Sequence, residues 1–174
     1  MYRKSWKYYR DLLILAVCIL SLVGTGVLAL SHPAWWLAFL CLWLIQSAVR
    51  NAFTFAHPPR RLNWMPQSPL EFREVTFHAR DGLTLFGRFA AGRNRAAVIL
   101  AHGLGSSGSD MVFHAETLAR AGYGVFLIDL RAHGSSDGDT STFGLREADD
   151  VAGAVDYLLT RLDVDGRRIG ALGI

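Results

Sequence analysis

Residues 12–30 form a nineteen-residue run without a charge, LLILAVCILSLVGTGVLAL, and no other feature so constrains what this chain can fold into. A hydrocarbon core about 30 Å thick is crossed by roughly 20 apolar helical residues. Ser31-His32-Pro33 interrupts the run, and residues 34–49, AWWLAFLCLWLIQSAV, add sixteen more uncharged positions. Trp35 and Trp36 open this second stretch, and amphipathic rings favour the membrane interface. Two apolar runs around a three-residue polar turn predict a transmembrane helical hairpin, about 12–30 and 34–49. Arg3, Lys4, Lys7 and Arg10 precede the first run, Arg50, Arg60 and Arg61 follow the second, and the turn carries neither Lys nor Arg. Cations mark the cytoplasmic side. A multi-pass cell-membrane protein with both termini cytoplasmic is therefore expected, with the lipid bilayer as a partner. A cleaved signal peptide has a shorter core and is not followed by a second span. Cys18 and Cys41 fall inside the apolar runs and read as buried small hydrophobes.

Charge divides the chain at the same place. Residues 1–61 hold seven Lys/Arg against Asp11 alone, whereas residues 62–174 hold eleven Arg against fourteen acids. The net +3 is thus a basic anchor joined to a faintly acidic body. A nucleic-acid-binding domain concentrates its cations on the folded body, so no nucleic acid partner is expected. With 51% hydrophobic and 19% charged residues the chain is not disordered, and two cysteines exclude a disulfide scaffold. Pro58, Pro59, Pro66 and Pro69 let no helix continue. They predict a linker between a membrane anchor, 1–61, and a folded domain, 62–174.

In that domain, residues 72–78 and 83–89 are β-prone runs about Asp81-Gly82, a strong hairpin signal. AAVILA at 96–101 is a short apolar run suited to a strand buried on both faces. Residues 109–121 predict a helix with Ser109 as its N-cap and Gly122 past its end. Residues 123–130 predict a second buried strand. A helix is expected from Phe143 or Gly144 to Arg161, with Ala148, Val151, Val155, Leu158 and Leu159 inward and Arg146, Asp149 and Asp150 outward. RIGALGI at 168–174 predicts a third strand. The fold class is therefore α/β: a β-hairpin, then β-α-β-α-β, with a parallel sheet covered by helices on both faces. Reactive groups in such sheets sit at the carboxyl ends of the strands.

Two motifs lie there. His102-Gly103-Leu104-Gly105-Ser106-Ser107-Gly108 satisfies G-x-G-x-x-G, with Asp129 twenty-one residues past Gly108. That is the dinucleotide-binding fingerprint with its ribose acid. An NAD(P)-binding domain on a membrane anchor is accordingly an alternative, and a non-catalytic membrane module is another. A preceding hairpin and His102 at the start of the tight turn count against the cofactor. Gly134-Ser135-Ser136-Asp137-Gly138 matches G-x-S-x-G, but a nucleophile elbow needs strand, sharp turn and helix in immediate succession. Ser136 lies beyond its strand with a further loop after it, and reads as a decoy. Asp129 and Arg131 read as a loop-fixing pair, and Glu147 and Asp150 as helix surface. His32, His57, His78 and His114 have no partner at metal-ligand spacing.

Taken together, the HG-x-G after a strand, LARAGYGVFLIDLRAHGSSDG, the helix with Glu147 and Asp150, and RIGALGI resemble the N-terminal half of an α/β-hydrolase. They are most similar to its serine aminopeptidase and monoacylglycerol-lipase-like branch. The family has Gly where this chain has Ala132. The resemblance implies a serine hydrolase acting on an ester, amide or peptide, with no cofactor and no metal. It implies that the Leu104 N–H is one oxyanion-hole donor, with His102, Gly103 and Gly105 shaping its loop. Asp129, Arg131, His133 and Gly134 would be structural near the site. Gly173 and Ile174 would begin the nucleophile elbow, with the serine next in line. On this reading no catalytic residue is present, the chain is an inactive N-terminal part of a longer enzyme, and the RIGALGI strand exposes an edge.

Overall fold

The computed structural model describes the backbone of residues 6–29, 34–60 and 66–174, and side chains of 12–24, 36–60 and 66–174. The expected turn at Ser31-His32-Pro33 lies outside the described residues. The chain divides into two compact units, Met1–Asn51 and Ala52–Ile174.

The first unit is helical. α1 spans Trp6–Ala29 and α2 spans Ala34–Ala56, with residues 52–56 of α2 belonging to the second unit. Among the described residues, Trp36–Ala56 is the one helix long and apolar enough to cross a membrane, and Leu12–Gly24 is a shorter apolar stretch. α2 continues past the expected end at Val49 through Arg50, since a long cationic side chain can reach away from an apolar helix surface. Cys18 is half-buried and Cys41 is exposed on the helix surface.

The second unit carries the sheet. β1 (Arg73–His78) and β2 (Thr84–Ala90) form the expected hairpin. Gly82 takes φ +88° in its turn, a conformation without steric cost only for glycine, and the Leu83 N–H donates to Asp81 Oδ1 at 3.3 Å. β3 is Ala97–Ala101, β4 is Gly124–Asp129 and β5 is Ile169–Gly173. The sheet order is β1-β2-β4-β3-β5. β2 is antiparallel to β4, whereas β3 is parallel to both β4 and β5. The sheet is thus open and mixed, the hairpin supplying the antiparallel edge and the three later strands the parallel part.

Alternation along the strands sorts side chains to two faces. Phe77, Leu85, Phe89, Ile99, Phe126 and Ile128 pack with Ala154 and Leu158 of α4, which spans Glu147–Leu159. Leu100, Val125 and Leu127 pack with Met111, Val112 and Ala115 on the opposite face. All of β4 is buried because both faces are covered. Gly153 lets α4 approach β1 closely, since a Cβ there would lie 2.1 Å from the His78 carbonyl oxygen. β5 sits at the sheet edge, and residues 170–174 are exposed.

The first crossover differs from expectation at its start. A 3-10 turn, Gly108–Met111, precedes α3, Val112–Arg120. Ser109 does not cap: it is buried within the turn and its Oγ has no partner among the described residues. Ser107 is the N-cap of the turn, and the Asp110 carboxylate, three residues on, reaches back to accept from the Ser107 N–H at 3.3 Å and from the Ser106 hydroxyl. Gly122 ends α3 as expected, with Gly122 N–H to Ala119 O at 2.9 Å and Tyr123 N–H to Leu118 O at 3.2 Å, the paired bonds of a Schellman cap. α4 begins at Glu147 rather than Phe143 or Gly144, because those two hold φ +54° and +102°.

Candidate functional site

The loops after β3 and β4 and the end of β5 meet at the carboxyl end of the parallel strands. Two histidines lock the loops together. The Leu130 N–H donates to His102 Nε2 at 3.1 Å, and the Gly105 N–H donates to His133 Nε2 at 3.0 Å. Each ring therefore accepts a backbone N–H from the other's loop. Each Nδ1 carries the proton and donates at 2.8 Å to a carbonyl of its own loop, Gly103 O for His102 and Arg131 O for His133. The rings stack edge to face at 4.9 Å. Burial holds the His102 pKa below its ordinary value against the Gly103 contact, and His133 nearby lowers it further. With both nitrogens of both rings committed, neither histidine has a free site for a substrate proton.

Asp129 is 1% exposed. Its Oδ1 accepts from the Gly108 N–H at 2.7 Å and its Oδ2 from the Ser135 N–H at 2.9 Å. The carboxylate joins the start of the 3-10 turn to the loop after β4, so the dinucleotide reading is left without an acid facing a ribose. Gly134 fits over it as only glycine can: φ is +47° and a Cβ would lie 2.0 Å from Asp129 Oδ2. Ser136 is buried and inward. It accepts from the Phe86 N–H at 2.9 Å and donates to Asp129 O at 2.5 Å.

Arg131 does not pair with Asp129. It reaches Asp150 at 2.6 Å and Asp81 at 2.8 Å, and Asp150 Oδ2 also accepts the Arg131 backbone N–H at 2.9 Å. Asp150, expected to face outward, is fully buried. Burial disfavours the Arg131 charge, but the bonds to Asp150 and Asp81 outweigh it and raise the guanidinium pKa. The Asp150 signal was present in the sequence, since helical spacing sets it on one stripe with Ala154 and Leu158. Glu147 is buried too. It accepts from Ser141 Oγ at 3.0 Å, Thr142 N at 2.7 Å, Thr142 Oγ1 at 2.7 Å and Gly144 N at 2.8 Å. Burial alone would raise its pKa, yet these donors bring it down to about 2. Glu147 and Asp150 are therefore loop anchors rather than surface.

Two backbone features remain at the surface of the site. No acceptor among the described residues meets the Leu104 N–H, and the Leu104 side chain is exposed. A Cβ on Gly103 would lie 3.0 Å from Ile174 O, and the Ile174 N–H donates to Ala101 O at 3.4 Å. The end of β5 thus lies against the loop that carries Leu104.

A domain of the α/β-hydrolase superfamily covers part of the chain. Residues 92–162 match the family described as serine aminopeptidase, S33. The uncharacterized protein YfhR of Salmonella typhimurium is 32% identical over 140 residues, 77% of this chain and 46% of that one. An esterase of Pyrococcus furiosus superposes with a TM-score of 0.62 at 31% identity, covering 69% of this chain and 47% of its own. The α/β-hydrolase GrgF of a Penicillium species superposes with a TM-score of 0.56 at 26% identity, covering 60% and 38%. The chain spans about half the length of the curated relatives it matches.

Proposed function

We propose that residues 62–174 form the oxyanion-side half of a serine hydrolase acting on an ester, amide or peptide carbonyl. Residues 1–61 would anchor it in the cell membrane by two spans with both ends cytoplasmic. Acyl transfer places negative charge on the carbonyl oxygen, and a backbone N–H aimed at that oxygen contributes about 3 kcal/mol in the transition state. Leu104 supplies this donor. Gly103 and Gly105 give its loop room, and His102, His133, Asp129 and Gly134 fix it from the far side. Gly173 and Ile174 open the nucleophile elbow, the serine following at once.

The observation that carries this reading is a Leu104 N–H that meets no acceptor among the described residues, on a loop that lies against the end of β5. The relatives are about twice as long, which leaves room in their chains for a base and an acid. The test is to express the chain continued in its own reading frame and treat the membranes with a fluorophosphonate probe. The serine after Ile174 takes up the probe, and its change to alanine abolishes uptake. A frame without Ser-x-Gly at that point refutes the reading in favour of a non-catalytic membrane module.

A further inference from the structure

The arginines of the second unit use their charge in two ways. Arg80, Arg88, Arg131 and Arg161 each meet a carboxylate within 3.1 Å. Arg93, Arg95 and Arg168 have no carboxylate at ion-pair distance among the described residues. These three lie in the loops that lead into β3 and β5, where the parallel strands begin side by side and Ala97 pairs with both Gly124 and Ile169. That is the end of the sheet opposite Leu104.

Each of the three guanidinium groups is held by a carbonyl oxygen instead. Arg168 Nη1 donates to Asn94 O at 2.7 Å, Arg95 Nη2 to Leu162 O at 3.3 Å, and Arg93 Nη2 to Arg120 O at 3.2 Å. Arg95 and Arg168 thus each reach across to the other's loop, and the Asp165 N–H joins the same loops by donating to Arg95 O at 2.7 Å. A carbonyl fixes a guanidinium without neutralising it and leaves most of its N–H donors open. The Asp165 carboxyl is held below its ordinary value first by the Arg167 N–H, against its desolvation, and then by the charges of Arg167, Arg95 and Arg168. Three guanidinium groups therefore share the field of one carboxylate. Arg95 also sits at φ +62°, a conformation that glycine would take without strain, yet the position carries an arginine.

We propose that Arg93, Arg95 and Arg168 form a binding site for a phosphate group carried by a small soluble molecule. A carboxylate presents two oxygens in one plane and takes one arginine fork. A phosphate presents three acceptor oxygens in different directions and carries close to two charges. It matches guanidinium groups that arrive from separate loops, fixed in place before the ligand comes. The site stands apart from the Leu104 loop and does not depend on the hydrolase reading.

The test uses the full chain in nonionic detergent micelles at about 0.15 M salt, where attraction between separated exposed charges is screened. Inorganic phosphate is titrated in, and the arginine Nε–H resonances are followed by NMR. Those of Arg93, Arg95 and Arg168 shift together and saturate with one affinity. Arg95→Gln and Arg168→Gln, each keeping an N–H for its carbonyl, weaken binding about tenfold, the loss of one charge-assisted hydrogen bond. Arg146→Gln, which removes an exposed charge from the loop before α4, leaves the affinity unchanged. Equal weakening by all three variants overturns the proposal, because net charge then suffices. Shifts that never saturate mean an adventitious ion only and also overturn it. Acetate binding as tightly as phosphate, or shifts that need phosphatidic acid in the micelle, overturn it in favour of an acidic peptide or a lipid headgroup. The chain continued in its own reading frame keeps the affinity; loss of binding there overturns the site by showing that later sequence covers the arginines.

Discussion

Removing the Asp150 carboxylate separates the buried cluster from the surface position that its charge suggested. In Asp150→Ala, Arg131 stays 4% exposed and keeps only Asp81, whose side chain is 34% exposed and shares its charge with solvent. Breaking one partner of a buried ion pair costs about 3–5 kcal/mol, because the other charge is left without compensation. The Arg131 N–H loses its acceptor in the same change, a penalty of about 1–3 kcal/mol that overlaps the first. Asp81 offsets part of the sum, so the expected loss is about 4 kcal/mol. At a urea slope of about 2 kcal/mol/M, the midpoint falls by about 2 M. Pulse proteolysis of the full chain in detergent micelles across a urea series reads this directly. The double variant Arg131→Met with Asp150→Leu removes both charges and recovers most of the loss. It stays about 1–2 kcal/mol below the parent, because the backbone N–H at 131 still lacks an acceptor. A single-variant loss under about 0.5 kcal/mol, the ordinary cost of a surface change, refutes the reasoning. So does a double variant no better than the single one.

Three further outcomes follow from the same loops. Glu147→Gln lowers stability at pH 7 by about 3 kcal/mol, the worth of a carboxyl brought from 4.5 to about 2. That contribution is complete above pH 4.5 and disappears as pH falls through about 2, so parent and variant midpoints converge in acid. His102, its pKa lowered by burial, gives the unfolded chain more bound protons below about pH 6.5. Stability therefore declines as pH drops from 6.5 through the folded value, and His102→Asn, measured by urea midpoints at stepped pH, loses that slope. Gly134→Ala, with φ +47° and a Cβ 2.0 Å from Asp129 Oδ2, costs about 3 kcal/mol from strain and overlap together. Gly105→Ala, at φ +73° with nothing within 4 Å, costs about 1 kcal/mol. Equal midpoints for the two glycine variants contradict the steric account.

The elements that could be read from sequence are those whose cause is local. Asp81-Gly82 makes the hairpin because its turn needs one left-handed residue. AVILA and GVFLID are strands because continuous apolar runs require cover on both faces. Gly122 ends α3 by the bonds that a glycine past a helix end permits. Ser109 failed as a cap since the turn starts two residues earlier, at Ser107 with Asp110 reaching back to it, and a choice among neighbouring polar residues depends on how the loop closes. Asp150 failed for a different reason. Charge argued for the surface, and only the arrival of Arg131 from the loop after β4 makes a fully buried carboxylate stable.

By itself, then, the sequence determined the apolar N-terminal helices, the α/β alternation and the strand ends at which the two motif loops lie. These follow from periodicity and charge counted along one chain. Tertiary structure alone decided what the polar residues do at those ends. It exchanged two backbone N–H groups between the rings of His102 and His133, spent Asp129 on two loops, and moved Arg131 from Asp129 to Asp150 and Asp81. A hydrogen bond between residues 28 positions apart leaves no trace in local spacing. It arises only when the sheet brings β3 beside β4 and the buried polar groups must find one another.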